Sequence, residues 1–171
     1  MKKKILALAL ALVMIISLLP LTALADEVKN PMPKVTIKGN DKQTIHSGGL
    51  TGRADSVLYI QTVDGQLEKV AEEPADNYMK FFYNKTDNVL EILFKNIEYK
   101  PTVPEEALIS ILNNGSSYSS AFDVVFTLEG TNVIESTSSN NQIVIANQGT
   151  VTITGPGSLR MVTSCGSSSP S

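Results

Sequence analysis

ALISILNNGSSYSSAFDVVFTLEGTNVIES (107–136) is the first of two segments that predict the fold. The second segment is NQIVIANQGTVTITGPGSLRMVTS (141–164). Both segments have a short apolar strand, an Asn-containing turn, a second strand and another turn. An earlier segment, KFFYNKTDNVLEILFKNIEY (80–99), follows a similar plan. A unit of this length cannot bury its own apolar face, so recurring units are expected to stack on one another.

The closest internal match joins residues 109–111 to residues 143–145. In each segment two isoleucines flank one residue, and an Asn turn ending in Gly follows, at 113–115 and at 147–149. The match covers both the strand and its turn, so we expect the two segments to lie side by side and run in the same direction. Asn at a bend adopts the left-handed conformation readily and hydrogen-bonds to nearby backbone.

The strands after these turns alternate apolar and polar residues, which predicts one inward and one outward face. The residues predicted to point inward are Val124, Phe126, Leu128, Val151 and Ile153. Those predicted to point outward are Val125, Thr127, Glu129, Thr150, Thr152 and Thr154. Gly130 and Gly155 are predicted to end corresponding strands.

This pattern predicts an all-β protein built as a short parallel β-helix, or solenoid. A β-sandwich or an irregular β-domain stays open as the alternative. A sandwich is expected to form hairpins every 8–12 residues or so, whereas here the similarity returns once per two or three strands.

The N-terminus predicts export. Residues 2–4 are lysines, residues 5–19 are almost entirely apolar, and Ala23 and Ala25 supply small residues for cleavage between Ala25 and Asp26. The alternative is an uncleaved anchor, but the apolar run is short for a membrane span. We therefore expect a secreted or cell-surface protein, with no membrane association after cleavage.

The rest of the chain divides into a leader, a capping region, rungs and a tail. Strand signals begin near residue 34, and Asp64-Gly65 predicts a hairpin turn. We expect a loop over 47–55 and a short helix or irregular loop over 66–78. The predicted boundaries are a signal peptide at 1–25, a flexible leader at 26–34, an N-terminal β or irregular capping region at 35–79, β-helix rungs at 80–164 and a disordered Ser-rich tail at 165–171.

Charge and composition exclude several kinds of site. Without its first 25 residues the chain has 11 basic and 17 acidic residues, a net charge of −6, which disfavours nucleic acid as a partner. Cys165 is the only cysteine and His46 the only histidine, so an intramolecular disulfide and a Cys/His zinc site are excluded. We expect no catalytic, metal or cofactor site, and His46 is predicted to be a surface residue.

The C-terminal segments resemble a family of exported bacterial carbohydrate-binding domain-containing proteins with right-handed parallel β-helix repeats. The resemblance lies in a strand ending Leu-x-Gly-x-Asn-x-Ile, then an apolar strand, then the motif Leu-Thr-Ile-x-Gly-x-Gly-x-Leu, in which Val151 stands at the first Leu position. The matching residues are Leu128, Gly130, Asn132, Ile134, Val151, Thr152, Ile153, Gly155, Gly157 and Leu159. The resemblance implies a right-handed β-helix and a glycan or cell-wall partner. It extends loosely over 80–120 and does not reach 26–79.

Glycan binding would use exposed aromatic rings, and Tyr83, Tyr99 and Tyr118 are the candidates. The alternative is that these rings pack against the body of the protein. Asn residues at the outer turns, at 113, 114, 140, 141 and 147, suit either a binding or a structural role.

Two other function classes stay open. One is a purely structural or adhesive spacer; the other is a polysaccharide lyase or hydrolase on the same fold, although the sequence has no evident carboxylate cluster. Family members usually continue for more rungs, so we expect either a truncated member or an open last rung that supports end-to-end self-association.

Overall fold

The computed structural model describes residues 32–40, 43–100, 107–113, 121–136 and 142–163. The chain divides into two units, Met1–Asn30 and Pro31–Ser171, and every described residue lies in the second. The predicted signal peptide, its cleavage site at Ala25 and Asp26, and the predicted tail lie outside the described residues. Within the described ranges, no helix is long and apolar enough to cross a membrane.

The described residues form strands and turns, with a short 3-10 helix at Ala54–Ser56, and this confirms the predicted all-β class. The strands are β1 (Pro33–Lys38), β2 (Thr44–Gly49), β3 (Leu58–Val63), β4 (Gln66–Val70), β5 (Tyr78–Asn84), β6 (Val89–Lys95), β7 (Glu98–Tyr99), β8 (Ile109–Asn113), β9 (Asp123–Glu129), β10 (Thr131–Ser136), β11 (Ile143–Ala146), β12 (Val151–Thr154) and β13 (Ser158–Thr163). The strand β1 includes Pro33 and Lys34, so the predicted leader extends two residues too far.

These strands make three sheets. Sheet I has the order β11-β8-β1-β2, sheet II the order β12-β9-β6-β5-β3-β4, and sheet III the order β13-β10-β7. The pairs β6–β9, β9–β12, β8–β11, β7–β10 and β10–β13 are parallel. The pairs of β1 with β2 and β8, and of β3 with β4 and β5, are antiparallel, as is β5–β6.

The parallel pairs follow the repeat in the sequence. We call β8, β9 and β10 the middle strand set and β11, β12 and β13 the last strand set. Each strand of the last set pairs in parallel with its counterpart in the middle set. Ile143 lies opposite Ile109, and Ile145 lies opposite Ile111, which confirms the predicted side-by-side match of these segments.

Alternation along β9 fills the core as predicted. Val124, Phe126 and Leu128 are buried, at 0%, 4% and 6% exposure. The Phe126 ring packs edge-on against Phe94 of β6, with ring centroids 5.7 Å apart. Such a pair adds to the stabilisation that burial of apolar surface supplies. Val125, Thr127 and Glu129 lie on the opposite face, which we call the outer face of sheet II.

Burial on β12 differs from the prediction. Val151 lies opposite Val124 and Ile153 opposite Phe126, so both occupy the predicted inward side. They are nevertheless 46% and 64% exposed. The reason is that β12 is an edge strand of sheet II, with no described strand paired to its other side.

Two predictions for the N-terminal region are wrong. The sequence predicts a loop over 47–55, but residues 47–49 belong to β2, where Gly48 lies opposite Val35 of β1. It also predicts a helix or irregular loop over 66–78, but this segment begins with β4, which pairs with β3. The predicted turn at Asp64-Gly65 is confirmed, and its two positive φ angles, 50° and 76°, fit a type I′ hairpin turn.

Asn side chains link neighbouring strands at the turns, as the sequence predicts. Asn147 accepts a hydrogen bond from the Phe122 amide at 3.3 Å and donates one to the Phe122 carbonyl. Asn132 is fully buried and contacts the backbone of three separate segments: its Oδ1 accepts from Ile97 N, and its Nδ2 donates to the carbonyls of Glu129 and Ser158. The predicted positions 114, 140 and 141 lie outside the described residues.

Gly130 directly follows β9 and Gly155 directly follows β12, which confirms the prediction that these glycines end corresponding strands. The ladders flanking this corner pair Thr127 with Thr154 and Thr131 with Ser158. The register therefore places Gly157 opposite Gly130. A Cβ on Gly157 would lie 2.7 Å from the Gly130 carbonyl oxygen, so the two backbones approach closely here.

Candidate functional site

Two of the three predicted glycan-binding tyrosines are buried. Tyr83 is 2% exposed and Tyr99 is 0% exposed. Tyr83 donates a hydrogen bond to Asn88 Oδ1 at 2.7 Å, and Tyr99 donates one to Asn40 Oδ1 at 3.1 Å. Burial raises the pKa of both phenols, that of Tyr99 to about 12. Neither ring can stack on a sugar, so the prediction is wrong for both, and Tyr118 lies outside the described residues.

A groove lies on the outer face of sheet II and crosses β5, β6 and β9. Its volume is about 380 Å³. We call it the outer-face groove. The side chains that line it from the outer face are Lys80, Phe82, Val89, Glu91, Leu93, Val125, Thr127 and Glu129.

Strand register fixes the neighbours within the groove. Phe82 of β5 lies opposite Glu91 of β6, and Glu91 lies opposite Val125 of β9. Two residues further along, on the same face, Leu93 of β6 lies between Lys80 of β5 and Thr127 of β9. Opposite residues on adjacent strands are close enough for their side chains to act together. An aromatic ring, a carboxylate, an ammonium group and a hydroxyl therefore share one open surface.

A carboxylate from the segment after β4 organises one side of the groove. Glu73 accepts a hydrogen bond from Tyr78 at 2.6 Å, one from Tyr59 at 3.2 Å and one from Lys80 at 3.2 Å. We call these four residues the Glu73 cluster. The Tyr78 hydrogen bond, with smaller contributions from Lys80 and Tyr59, lowers the pKa of Glu73. Burial, and then the hydrogen bond to Glu73, raises the pKa of Tyr78.

The Glu73 cluster also arranges aromatic rings beside the groove. The rings of Tyr59 and Tyr78 meet edge-on with centroids 6.3 Å apart. The Lys80 ammonium lies 5.7 Å from the Tyr59 ring centroid, within the range of cation–π attraction. Lys80 is thus held by a carboxylate and a ring, and its position at the groove edge is defined before any ligand arrives.

The two groove carboxylates on the described residues, Glu91 and Glu129, stand at well-separated backbone positions. Glu91 lies opposite Val125, and Glu129 follows four residues later on β9. Four residues of strand span roughly 13 Å, whereas paired carboxylates in glycosidases are about 5–10 Å apart. Across the described residues no group of three or more His, Cys, Asp or Glu residues is arranged to hold a metal ion. The groove is suited to binding and carries no evident catalytic pair.

A second cavity, of about 290 Å³, is more polar. Thr62, Asp64, Gly65, Asn77, Glu98 and Lys100 line it. Lys100 forms an ion pair with Glu98 at 3.0 Å, and the Thr62 hydroxyl is buried without a hydrogen-bond partner. None of the described residues that line this cavity is aromatic, so among them it lacks the mixed chemistry of the outer-face groove.

His46 is less exposed than predicted. It lies on β2, it is partly buried, and its Nε2 atom is buried without a hydrogen-bond partner. Burial, followed by the positive charge of Lys69, lowers its pKa, and a backbone hydrogen bond with Gly48 acts in the opposite direction. The expectation of a plain surface residue is therefore wrong.

Sequence reasoning missed Phe82 and the Glu73 cluster. The run KFFYN contains three consecutive aromatic residues, and its alternation alone does not say which of them face outward. Register supplies the answer, because Phe81 and Tyr83 face the core opposite Ile92 and Leu90. Phe82 must then lie on the outer face, where it is partly exposed.

No protein-family model matches this chain, and no curated protein or solved structure matches it either. Functional interpretation therefore depends on the residues of the groove itself.

Proposed function

We propose that the protein is a secreted or cell-surface, non-catalytic module that binds glycan through the outer-face groove. The observation that carries this proposal is the position of Phe82. Its partly exposed ring lies opposite Glu91 and on the same face of β5 as Lys80, two residues away. Pyranose rings present an apolar face and a rim of hydroxyl groups. An aromatic surface with a few polar groups around it complements both features.

The proposed architecture is a short right-handed parallel β-helix capped by antiparallel strands. Its support is the in-register parallel pairing of β11, β12 and β13 with β8, β9 and β10. The parallel pairing of β6 with β9 and of β7 with β10 adds part of an earlier rung of the β-helix. The handedness follows from the general preference of parallel crossover connections for the right-handed form.

The charge of the groove narrows the ligand class. Among the described residues that line the groove, Glu91 and Glu129 contribute two negative charges, and Lys80 supplies the one ammonium group, which is already bonded to Glu73. Such a surface repels carboxylated or sulfated chains, because like charges on either side of an interface cost affinity. We therefore propose neutral glycans or glycans that contain amino sugars. The resemblance to exported carbohydrate-binding proteins points to a glycan or cell-wall component in general.

A glycan array followed by calorimetry tests this proposal. The full chain is expressed with its own N-terminal segment, recovered as the host processes it, and screened against neutral, amino-sugar and acidic glycans. Binding to neutral or amino-sugar glycans is expected. The Phe82→Ala variant should weaken binding to the best glycan at least about tenfold, because it removes the stacking surface.

Leu112→Ala is a matched control for the loss of apolar surface. Leu112 lies on β8 in sheet I, away from the groove, and is 37% exposed. This variant should bind glycan as the unchanged protein does. Equal binding by Phe82→Ala, or a preference for acidic glycans, would contradict the proposed site. Absence of binding to every glycan on the array would favour a structural spacer.

A further inference from the structure

The last strand set leaves one end of every sheet open. Strands β11, β12 and β13 are edge strands of sheets I, II and III, and no described strand pairs with their outer sides. On the inward side Val151, Ile153 and Met161 are 46%, 64% and 52% exposed. Their counterparts in the middle set, Val124, Phe126 and Ile134, are at most 4% exposed. The apolar interior therefore continues to this end and meets solvent there.

This end lacks the usual protection of an exposed sheet edge. Natural edge strands carry charged residues, proline or bulges that prevent pairing with another chain. Strands β11 and β12 contain no charged residue, and the only charge on β13 is Arg160. Arg160 lies 4.0 Å from Glu135 of β10, so it is directed towards its own sheet.

At the opposite end the edge strands are β2, β4 and β7, and two of them carry exposed charges. Strands β2 and β4 pair antiparallel with their neighbours in sheets I and II. Glu68 and Lys69 on β4 are exposed charges, and Glu98 on β7 is exposed at the edge of sheet III. This end does not complement the open one. A head-to-tail stack, which needs two different complementary ends, is therefore disfavoured, and the open end complements only another copy of itself.

We propose that two copies of this chain associate end to end through their last strand sets, around a two-fold axis. In such a dimer β12 pairs antiparallel with β12 of the second copy, and the exposed apolar side chains of both copies cover one another. The absence of charge on β11 and β12 removes like-charge repulsion between the identical surfaces. This proposal depends on the edge strands and is independent of the groove and its ligand.

Analytical ultracentrifugation of the full chain, processed by its host and kept under reducing conditions, tests the dimer. The reductant prevents a disulfide between Cys165 residues from producing a false dimer. Twice the single-chain mass is expected. Ile153→Lys should shift the equilibrium towards monomer by at least about tenfold in dissociation constant, because it places a charge in the apolar contact. Ile153 is already 64% exposed, so the variant should fold normally.

Val63→Lys is the matched control. It introduces the same charge at an exposed apolar residue of β3, which β9, β6 and β5 separate from β12 in sheet II. This variant should remain dimeric, and circular dichroism should show native folding for both variants. A monomeric unchanged protein at its highest soluble concentration would overturn the proposal. So would polymers of increasing length, or equal masses for the two folded lysine variants.

Discussion

Asn96 Oδ1 occupies the space that a side chain at Gly130 would need. Gly130 has a φ of +65°, and a Cβ built on it would overlap this oxygen atom. The oxygen also accepts a hydrogen bond from the Thr131 amide at 3.1 Å. Asn96 follows β6 and Gly130 follows β9, where these paired strands leave sheet II. The corner therefore requires a glycine on one strand and a compact acceptor on the other.

Substitution of Gly130 by alanine should destabilise the fold. Alanine at this position must keep the left-handed backbone conformation, which costs about 1–2 kcal/mol. Its Cβ must also displace the Asn96 side chain. We expect a loss of at least about 2 kcal/mol in the free energy of unfolding, measured by denaturant titration. Gly65→Ala is the control, since Gly65 has a φ of +76° and a Cβ added there would meet nothing within 4 Å. Equal losses for the two variants would contradict the overlap with Asn96.

Asn132 should be more important for stability than a surface asparagine. It is fully buried, and its loss leaves the Ile97 amide and the Ser158 carbonyl without their present partner. We expect Asn132→Ala to cost about 2–4 kcal/mol and to speed hydrogen exchange at the Ile97 amide. Asn84→Ala removes hydrogen bonds to the side chains of Asp87 and Glu91 and to the Thr86 and Asp87 amides, but all of them are exposed, so water can replace them and stability should change much less. Unchanged exchange at Ile97 in the Asn132 variant would contradict this role.

The buried tyrosines should affect stability without affecting glycan binding. Tyr83→Phe retains the ring but removes the hydrogen bond to Asn88, and should cost about 1 kcal/mol. Calorimetry should give the unchanged affinity for the best glycan, in contrast to Phe82→Ala. A loss of binding free energy in Tyr83→Phe that exceeds its loss in the free energy of unfolding would indicate that Tyr83 belongs to the binding site.

High pH should destabilise the protein, in part through Tyr99. Its ordinary pKa of 10.0 is raised to about 12 in the folded protein, mainly by burial. A folded-state pKa above the unfolded value gives stability that is complete below pH 10 and is lost as pH rises towards 12. The difference between these two pKa values corresponds to at most about 3 kcal/mol.

Tyr99→Phe isolates this contribution. The variant loses the hydrogen bond to Asn40, so its stability at neutral pH should fall slightly. Its free energy of unfolding should then decline less steeply above pH 10 than that of the unchanged protein. Parallel curves for the two proteins, measured by denaturant titration at several pH values, would show that Tyr99 does not control the alkaline transition.

The repeat is visible in the sequence because parallel strands place like residues opposite like residues. The pairing of residues 109–111 with 143–145 and the inward side of β9 follow from that rule alone. Strand β4 is harder to predict, because Leu67 and Val70 are spaced as on a helix and the residues between them, Glu68 and Lys69, favour helices. The hairpin turn at Asp64-Gly65 overrides that local preference.

The binding site is harder to predict than the core. A buried aromatic residue and an exposed one look alike in a sequence, and only the pairing of β5 with β6 separates Phe82 from Tyr83. The Glu73 cluster depends on a non-repetitive segment that returns to the outer face of sheet II. Neither feature has a spacing signal, because both depend on contacts between different elements.

Strand β6 pairs antiparallel with β5 across a four-residue turn, and in parallel with β9 through contacts such as Val89 with Asp123. The pairing of β5 with β6 closes a short loop. The pairing of β6 with β9 requires a much longer loop to close, so it is expected to form more slowly. The hairpins before β6 can therefore form early and serve as a template on which the later strands are added in chain order. A chain that emerges N-terminus first delivers that template before the strands that need it.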